Sequence, residues 1–205
     1  MSKYAKLNEI MERGVMQMLK GVLSYAHYLL NETVNTGELA IDATCGNGND
    51  TLFLCKLVGE QGKVIAFDVQ EQAIHNTKKR LAEEKRDNVI LIQDSHVNVE
   101  NYIQPGETIS GAIFNLGYLP KSDKSIITKG ESTVTAIQKI LNYLKEGGLI
   151  VIVVYHGHPG GTEEKNTVIE ELSELEQRDV SVLRYDFINQ KNNPPFLIAI
   201  QKNKR

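Results

Sequence analysis

The chain has 205 residues, 41% apolar and 24% charged, which is the make-up of one folded domain and excludes a disordered or low-complexity chain. Its net charge of −3 argues against coating nucleic acid through bulk positive charge, and leaves local contact through a small basic patch open. The longest strongly apolar run, Leu149 to Tyr155, is far short of the ~20 residues of a membrane span, and the N-terminus lacks the apolar block of a signal peptide, so a cytoplasmic protein with no membrane association is expected.

Residues 1–35 read as a helical N-terminal extension, with Val15, Met18, Leu19, Val22, Leu23, Ala26, Leu29 and Leu30 at three- and four-residue spacing. Asn35-Thr36-Gly37 breaks that pattern. Short apolar runs then begin at Leu39, Val64, Val89, Gly111 and Leu149, with helical patterns at about 49–58, 70–85, 131–145 and 162–177 between and after them. The connector near 97–103 is too short to assign. The runs are continuous rather than alternating, as strands buried on both faces are, and the intervals suit crossover helices. Val180–Phe187 and Phe196–Ile200 leave no room for a helix between them; Asn189 to Pro195 is a turn, and the pair forms an antiparallel hairpin. The expectation is a single α/β domain over 1–205: a seven-stranded, mostly parallel sheet, an antiparallel C-terminal hairpin, and helices on both faces.

Ligands of open α/β sheets bind at the carboxyl ends of the strands, so the residues after each run are the candidates. After the first comes Asp42-Ala-Thr44-Cys-Gly46-Asn47-Gly48-Asn49-Asp50, a glycine turn at a helix start. The third glycine of a dinucleotide fingerprint is replaced by Thr51, and no Gly-Lys-Ser/Thr triplet occurs, so nicotinamide and phosphate-loop readings are disfavoured. Asp42 suits a cationic amino group. Asp68, about twenty residues beyond Gly48, suits the hydroxyls of an adenosine ribose, with Gln70 beside it. The third run ends Asp94-Ser95-His96, where a carboxylate suits an adenine amino group. Three strand-end acids beside one glycine turn point to S-adenosylmethionine (SAM).

The fourth run ends Asn115-Leu-Gly-Tyr118-Leu-Pro120. It resembles the Asn-Pro-Pro-Tyr motif of amino-methylating enzymes, with Leu116 and Gly117 in place of the two prolines. In that motif the Asn and a backbone carbonyl aim an amine at the methyl carbon. The fifth run ends Tyr155-His156-Gly-His158-Pro-Gly-Gly161. A third ligand in a recognisable pattern is missing, so no metal is expected; pocket lining or proton handling and an ordinary surface loop both stay open. Cys45 and Cys55 are expected to be reduced thiols.

Taken in order, Asp-Ala-Thr-x-Gly-Asn-Gly, Phe-Asp-Val-Gln, Ser-His, Phe-Asn-Leu-Gly-Tyr-Leu-Pro, Tyr-His-Gly-His-Pro-Gly-Gly and Phe-Ile-Asn-Gln-x-Asn-Asn-Pro-Pro-Phe resemble a small bacterial family labelled rRNA methylases, over about Leu39 to Ile200. Its members are linked to methylation of 5-aminomethyl-2-thiouridine at the tRNA wobble position. The resemblance implies a Rossmann-like class I methyltransferase fold, SAM as cofactor, and the anticodon stem-loop of tRNA as partner. Carried over by motif, the cofactor contacts fall on Asp42, Thr44, Gly46, Asn47, Asn49, Asp50, Asp68, Gln70, Ser95, His96 and Asn115, with Gly48 in the same turn. Asn115, Tyr118, His156 and His158 are the candidate catalytic residues, and Tyr118, Lys121, Lys124 and Tyr155 the candidate substrate contacts. An rRNA or small-molecule amine acceptor, or a non-catalytic SAM-binding module, remains the alternative, and a homodimer is one open assembly.

Overall fold

The computed structural model describes residues 18–117 and 128–204. In chain order the elements are α1 (Val22–Thr33), β1 (Leu39–Asp42), α2 (Asn49–Val58), β2 (Lys63–Asp68), α3 (Glu71–Glu83), β3 (Val89–Gln93), a 3-10 helix (His96–Tyr102), β4 (Ile109–Leu116), α4 (Gly130–Tyr143), β5 (Leu144–Val154), α5 (Gly161–Ser173), β6 (Val180–Tyr185) and β7 (Phe196–Lys202). The short connector before β4 is the 3-10 helix, capped by the Ser95 side chain, which accepts from the Val97 N–H.

The seven strands form one sheet in the order β3-β2-β1-β4-β5-β7-β6. Pairs among β1 to β5 are parallel, whereas β7 runs antiparallel to both β5 and β6. The order reverses between β1 and β4, and there the loops leaving neighbouring strands diverge to opposite faces and open a crevice.

Side chains of each strand alternate between two cores. Ile41, Ile65, Phe67, Phe114, Ile150 and Ile152 pack with the 3-10 helix, α4 and α5. Ala40, Val64, Ala66, Ile113, Val151 and Val153 pack with α1, α2 and α3 on the other face. Burial on both faces explains why the strand runs are continuously apolar.

The N-terminal stripe is only partly helical among the described residues. The helix begins at Val22, after the extended Gly21, and Met18 and Leu19 lie outside it and exposed. Glycine in a helix interior costs about 1 kcal/mol relative to alanine, and the described residues before it, Met18 to Lys20, are exposed and bury nothing that would repay continuing through it. Val15 lies outside the described residues. What seats α1 is the missing side chain of Gly111 in β4: a Cβ there would stand 2.6 Å from Val34 Cγ2 and 2.9 Å from Leu30 Cδ2. Leu30 is fully buried at this contact. Leu30→Ala is expected to lower unfolding free energy by about 2–5 kcal/mol, read by urea denaturation.

Candidate functional site

A cleft of about 1010 Å³ opens at the carboxyl ends of the strands, beside the β1/β4 reversal. Its wall takes residues from the loops after β1, β2, β3, β4 and β5, together with Leu23 of α1, the start of α4 and Asn193 of the hairpin turn. The size suits a nucleoside-sized ligand with part of a second reactant.

The β1–α2 loop is organised from beneath. Asp42 is fully buried; one carboxyl oxygen accepts from the Thr51 hydroxyl at 2.6 Å and the other from the Thr44 N–H at 3.2 Å. Burial, and then the nearby charge of Asp50, push its pKa up from 3.8 to about 7. Asp42 therefore forms the root of the loop and stands behind the cleft wall, so any contact with a cationic amino group runs through water or a neighbouring group. Gly48 also stands behind the wall. Its φ of +77° and the approach of Thr77 Cα to 2.9 Å from a would-be Cβ account for the glycine. Thr44, Gly46, Asn47, Asn49 and Asp50 do line the cleft.

Asp68 closes the next side. Its carboxylate accepts from the Gly46 N–H and the Gln70 N–H, both at 3.0 Å, so it is aimed from two directions, while burial raises its pKa. Each carboxylate oxygen retains a lone pair for hydroxyl donors. Gln70, Ser95 and His96 also line the cleft. His96 is buried, with Nδ1 against the Ala43 carbonyl at 3.1 Å, and burial lowers its pKa. Nδ1 is then the protonated nitrogen, and the buried Nε2 is an acceptor that lacks a protein partner. Asp94 reaches the cleft too, but Ser95 N–H, Asn98 and Tyr102 hold its carboxylate. That leaves it less suited to the adenine contact expected of it.

Asn115 is fixed at both ends. Its backbone N–H donates to Thr44 Oγ1 at 2.7 Å, and its side-chain Nδ2 donates to Asp50 Oδ2 at 2.7 Å. A carboxylate can only accept, so the amide orientation is determined and Oδ1 remains an acceptor. The other oxygen of Asp50 lies 2.5 Å from His27 Nε2. Gly117, where the related motif has proline, takes φ +141°, which a proline ring fixed near −65° cannot adopt. Thr128 clamps it: Oγ1 accepts from the Gly117 N–H at 2.9 Å, and the Thr128 N–H donates to the Gly117 carbonyl at 3.1 Å.

After β5, Tyr155 lies in the wall, and burial, then the charge of Asp50, raises its pKa. His156 Nε2 faces the Pro194 carbonyl at 3.1 Å, tying this loop to the hairpin turn. Both ring nitrogens of His158 lie against backbone carbonyls, of Tyr155 at 2.8 Å and Pro159 at 3.0 Å. Both contacts tie the His158 ring to the backbone of its own loop. Among the described residues no group of three His, Cys, Asp or Glu is placed to hold a metal ion, and no helix is long and apolar enough to cross a membrane. Both cysteines are free thiols and buried. Tyr118, Lys121 and Lys124 lie outside the described residues. Sequence reasoning missed His27, Thr128 and Asn193; the first meets its partner across 23 positions, a separation that leaves no local pattern.

The comparisons bear on this geometry. A family model described as "Putative rRNA methylase" matches residues 64–201. A protein of Arabidopsis thaliana named tRNA (mnm(5)s(2)U34)-methyltransferase, chloroplastic, is 35% identical over 192 residues, covering 89% of this chain and 70% of that protein. The crystal structure of a Clostridium thermocellum protein described in the same words as the family model is 45% identical with a TM-score of 0.88, covering 90% of this chain and 99% of that one. A Streptococcus mutans protein described as "a putative methyltransferase" and solved in complex with SAH is 44% identical with a TM-score of 0.83, over the same shares.

Asp42 gives the loop a signature in solution. Between pH ~4 and ~7 the folded state keeps a proton on this carboxyl that the unfolded chain has lost, so its contribution to stability falls as pH rises through that window. Asp42→Asn cannot ionise. The stability of the natural chain relative to this variant is therefore expected to drop from pH 5 to about pH 8, read by denaturant unfolding across pH.

Proposed function

We propose, for a chain that belongs to the family described as "Putative rRNA methylase" and is a SAM-dependent methyltransferase, that the acceptor is the exocyclic amine of 5-aminomethyl-2-thiouridine at wobble position 34 of tRNA, giving 5-methylaminomethyl-2-thiouridine. The observation that carries this reading is the Asn115 carboxamide. Its NH₂ is committed to Asp50, which leaves Oδ1 as a hydrogen-bond acceptor at the β4 exit. An amine donating to that oxygen has its lone pair directed away from the bond and toward a reaction partner. The name of the Arabidopsis relative, which specifies the same wobble nucleoside, supports the choice of acceptor.

The residues present fit SAM. Asp68, aimed by two backbone N–H groups, would take the ribose hydroxyls. The Gly46 turn allows close approach, and Asp50 faces the cleft with a charge suited to an ammonium group. When bound, SAM supplies a methyl group made electrophilic by its sulfonium. The chain contributes alignment: holding two reactants in line is worth several powers of ten in rate. It must also accept the proton that the amine gives up. His156 suits that role better than His158, because Nε2 donates to Pro194 and Nδ1 is then the acceptor nitrogen. Lys129 at the cleft edge offers a phosphate contact, in keeping with RNA contact that is local in an acidic chain.

Two measurements test the reading. Asp68→Ala is expected to weaken SAH binding by about 1–3 kcal/mol in calorimetry, through loss of a charged acceptor; unchanged affinity would remove Asp68 from the site. Asn115→Ala is expected to bind SAH to within several-fold of the natural chain and to turn over at least about 100-fold more slowly. The substrates are an unmodified tRNA transcript, tRNA carrying 5-aminomethyl-2-thiouridine, and ribosomal RNA, with labelled SAM and nucleoside analysis. Label only in the modified tRNA supports the proposal. Equal labelling of the transcript, or label in ribosomal RNA alone, overturns it.

A further inference from the structure

The N-terminal helix carries none of the motifs at the strand ends, yet it reaches the site. Leu23 is part of the cleft wall, and His27, one turn later, points Nε2 at Asp50 Oδ1 from 2.5 Å. The imidazole lies flat on Phe53, with ring centres 4.0 Å apart and planes 8° apart. Phe53 follows Asp50 on α2, so the same stretch of helix supplies both the acceptor of the hydrogen bond and the surface against which the ring rests. The His27 side chain is 30% exposed and that of Asp50 12%.

Facing a carboxylate, Nε2 must be the donor whatever the charge of the ring. With Oδ1 engaged by His27 and Oδ2 by Asn115, the Asp50 carboxylate is held at both oxygens. A carboxylate dictates which end of the Asn115 amide faces it, and His27 keeps this one within reach of that amide. Freed from His27, Asp50 can turn toward solvent, and the amide loses the partner that separates its two flipped orientations. In the flipped orientation NH₂ takes the place of Oδ1, and a donor then confronts the amine.

We infer that His27 is a positioning residue for the methyl acceptor, acting through Asp50 to keep Asn115 Oδ1 in place. The inference rests on the acceptor role given to Asn115 above. It assigns α1 a part in the reaction in addition to its packing on the sheet. The residue does not touch the reactants, so its effect falls mainly on turnover, and on cofactor affinity only as far as Asp50, which faces the ammonium group, shifts with it.

Two substitutions separate hydrogen bonding from packing. His27→Phe keeps a flat ring against Phe53 and loses the donor; His27→Gln keeps a donor at about the reach of Nε2 and loses the ring. The expected result is that His27→Phe lowers kcat on modified tRNA by about 10- to 100-fold, with a smaller loss of SAH affinity, less than about tenfold, and that His27→Gln stays within about threefold of the natural chain in both. Near-normal turnover in His27→Phe, or equal loss in both variants, overturns the inference, because a packing role predicts those outcomes. A second readout does not depend on the RNA. The side-chain amide signal of Asn115 in ¹⁵N–¹H spectra should move in His27→Phe and return in His27→Gln; an unmoved signal in His27→Phe also overturns it. If the natural chain methylates none of the RNAs, the acceptor proposal fails, and the amide signal alone decides the placement of His27.

Discussion

The pairing of β1 with β4 brings the loop after one strand under the amide of the other, and the site depends on that contact. Asn115 donates from its backbone to Thr44 and from its side chain to Asp50, so two hydrogen bonds join the β4 exit to the β1–α2 segment. Both partners stand on a segment held from below by the Asp42 carboxyl, which binds Thr44 at one end and Thr51 at the other. The buried acid costs stability when it ionises, and what it secures is a loop whose polar groups converge on one crevice. Asp68 adds a third tie by accepting from Gly46 across the same crevice.

The fold was largely legible because the core is two-sided. Strands such as β2 and β5 are apolar at consecutive positions, and helices cover both faces at a spacing that only crossover connections satisfy. The hairpin of β6 and β7 was legible from the short polar turn between them, where Asn192 and Asn193 take positive φ. The start of α1 was less so, because the apolar spacing extends to both sides of Gly21 while packing against the core starts only at Val22 and full burial at Ala26.

The site divides in the same way. Which residues follow each strand is a matter of order along the chain, and most cleft residues lie where the sequence points. Which way a side chain turns depends on register and neighbours. Asp42 and Asp50 are both acids in one loop; Thr51 and Thr44 draw the first inward, whereas Asn115 and His27 hold the second at the wall. Gly117 is a departure from a related motif that becomes intelligible only through its backbone angle. His27 had no signal at all, since helix and partner meet only in the folded chain.

Cys45 stands in the cleft wall of a protein whose cofactor is an alkylating agent. A thiolate there would compete with the acceptor for the methyl group and would be consumed by thioether formation. Burial, and then the negative charge of Asp42, push the Cys45 thiol well above its ordinary range, with Asp68 adding to the shift. Burial above all, with the acids adding to it, keeps this sulfur in its protonated, weakly nucleophilic form. Burial and the carboxyls that build the crevice thus act in the same direction on the one thiol in its wall.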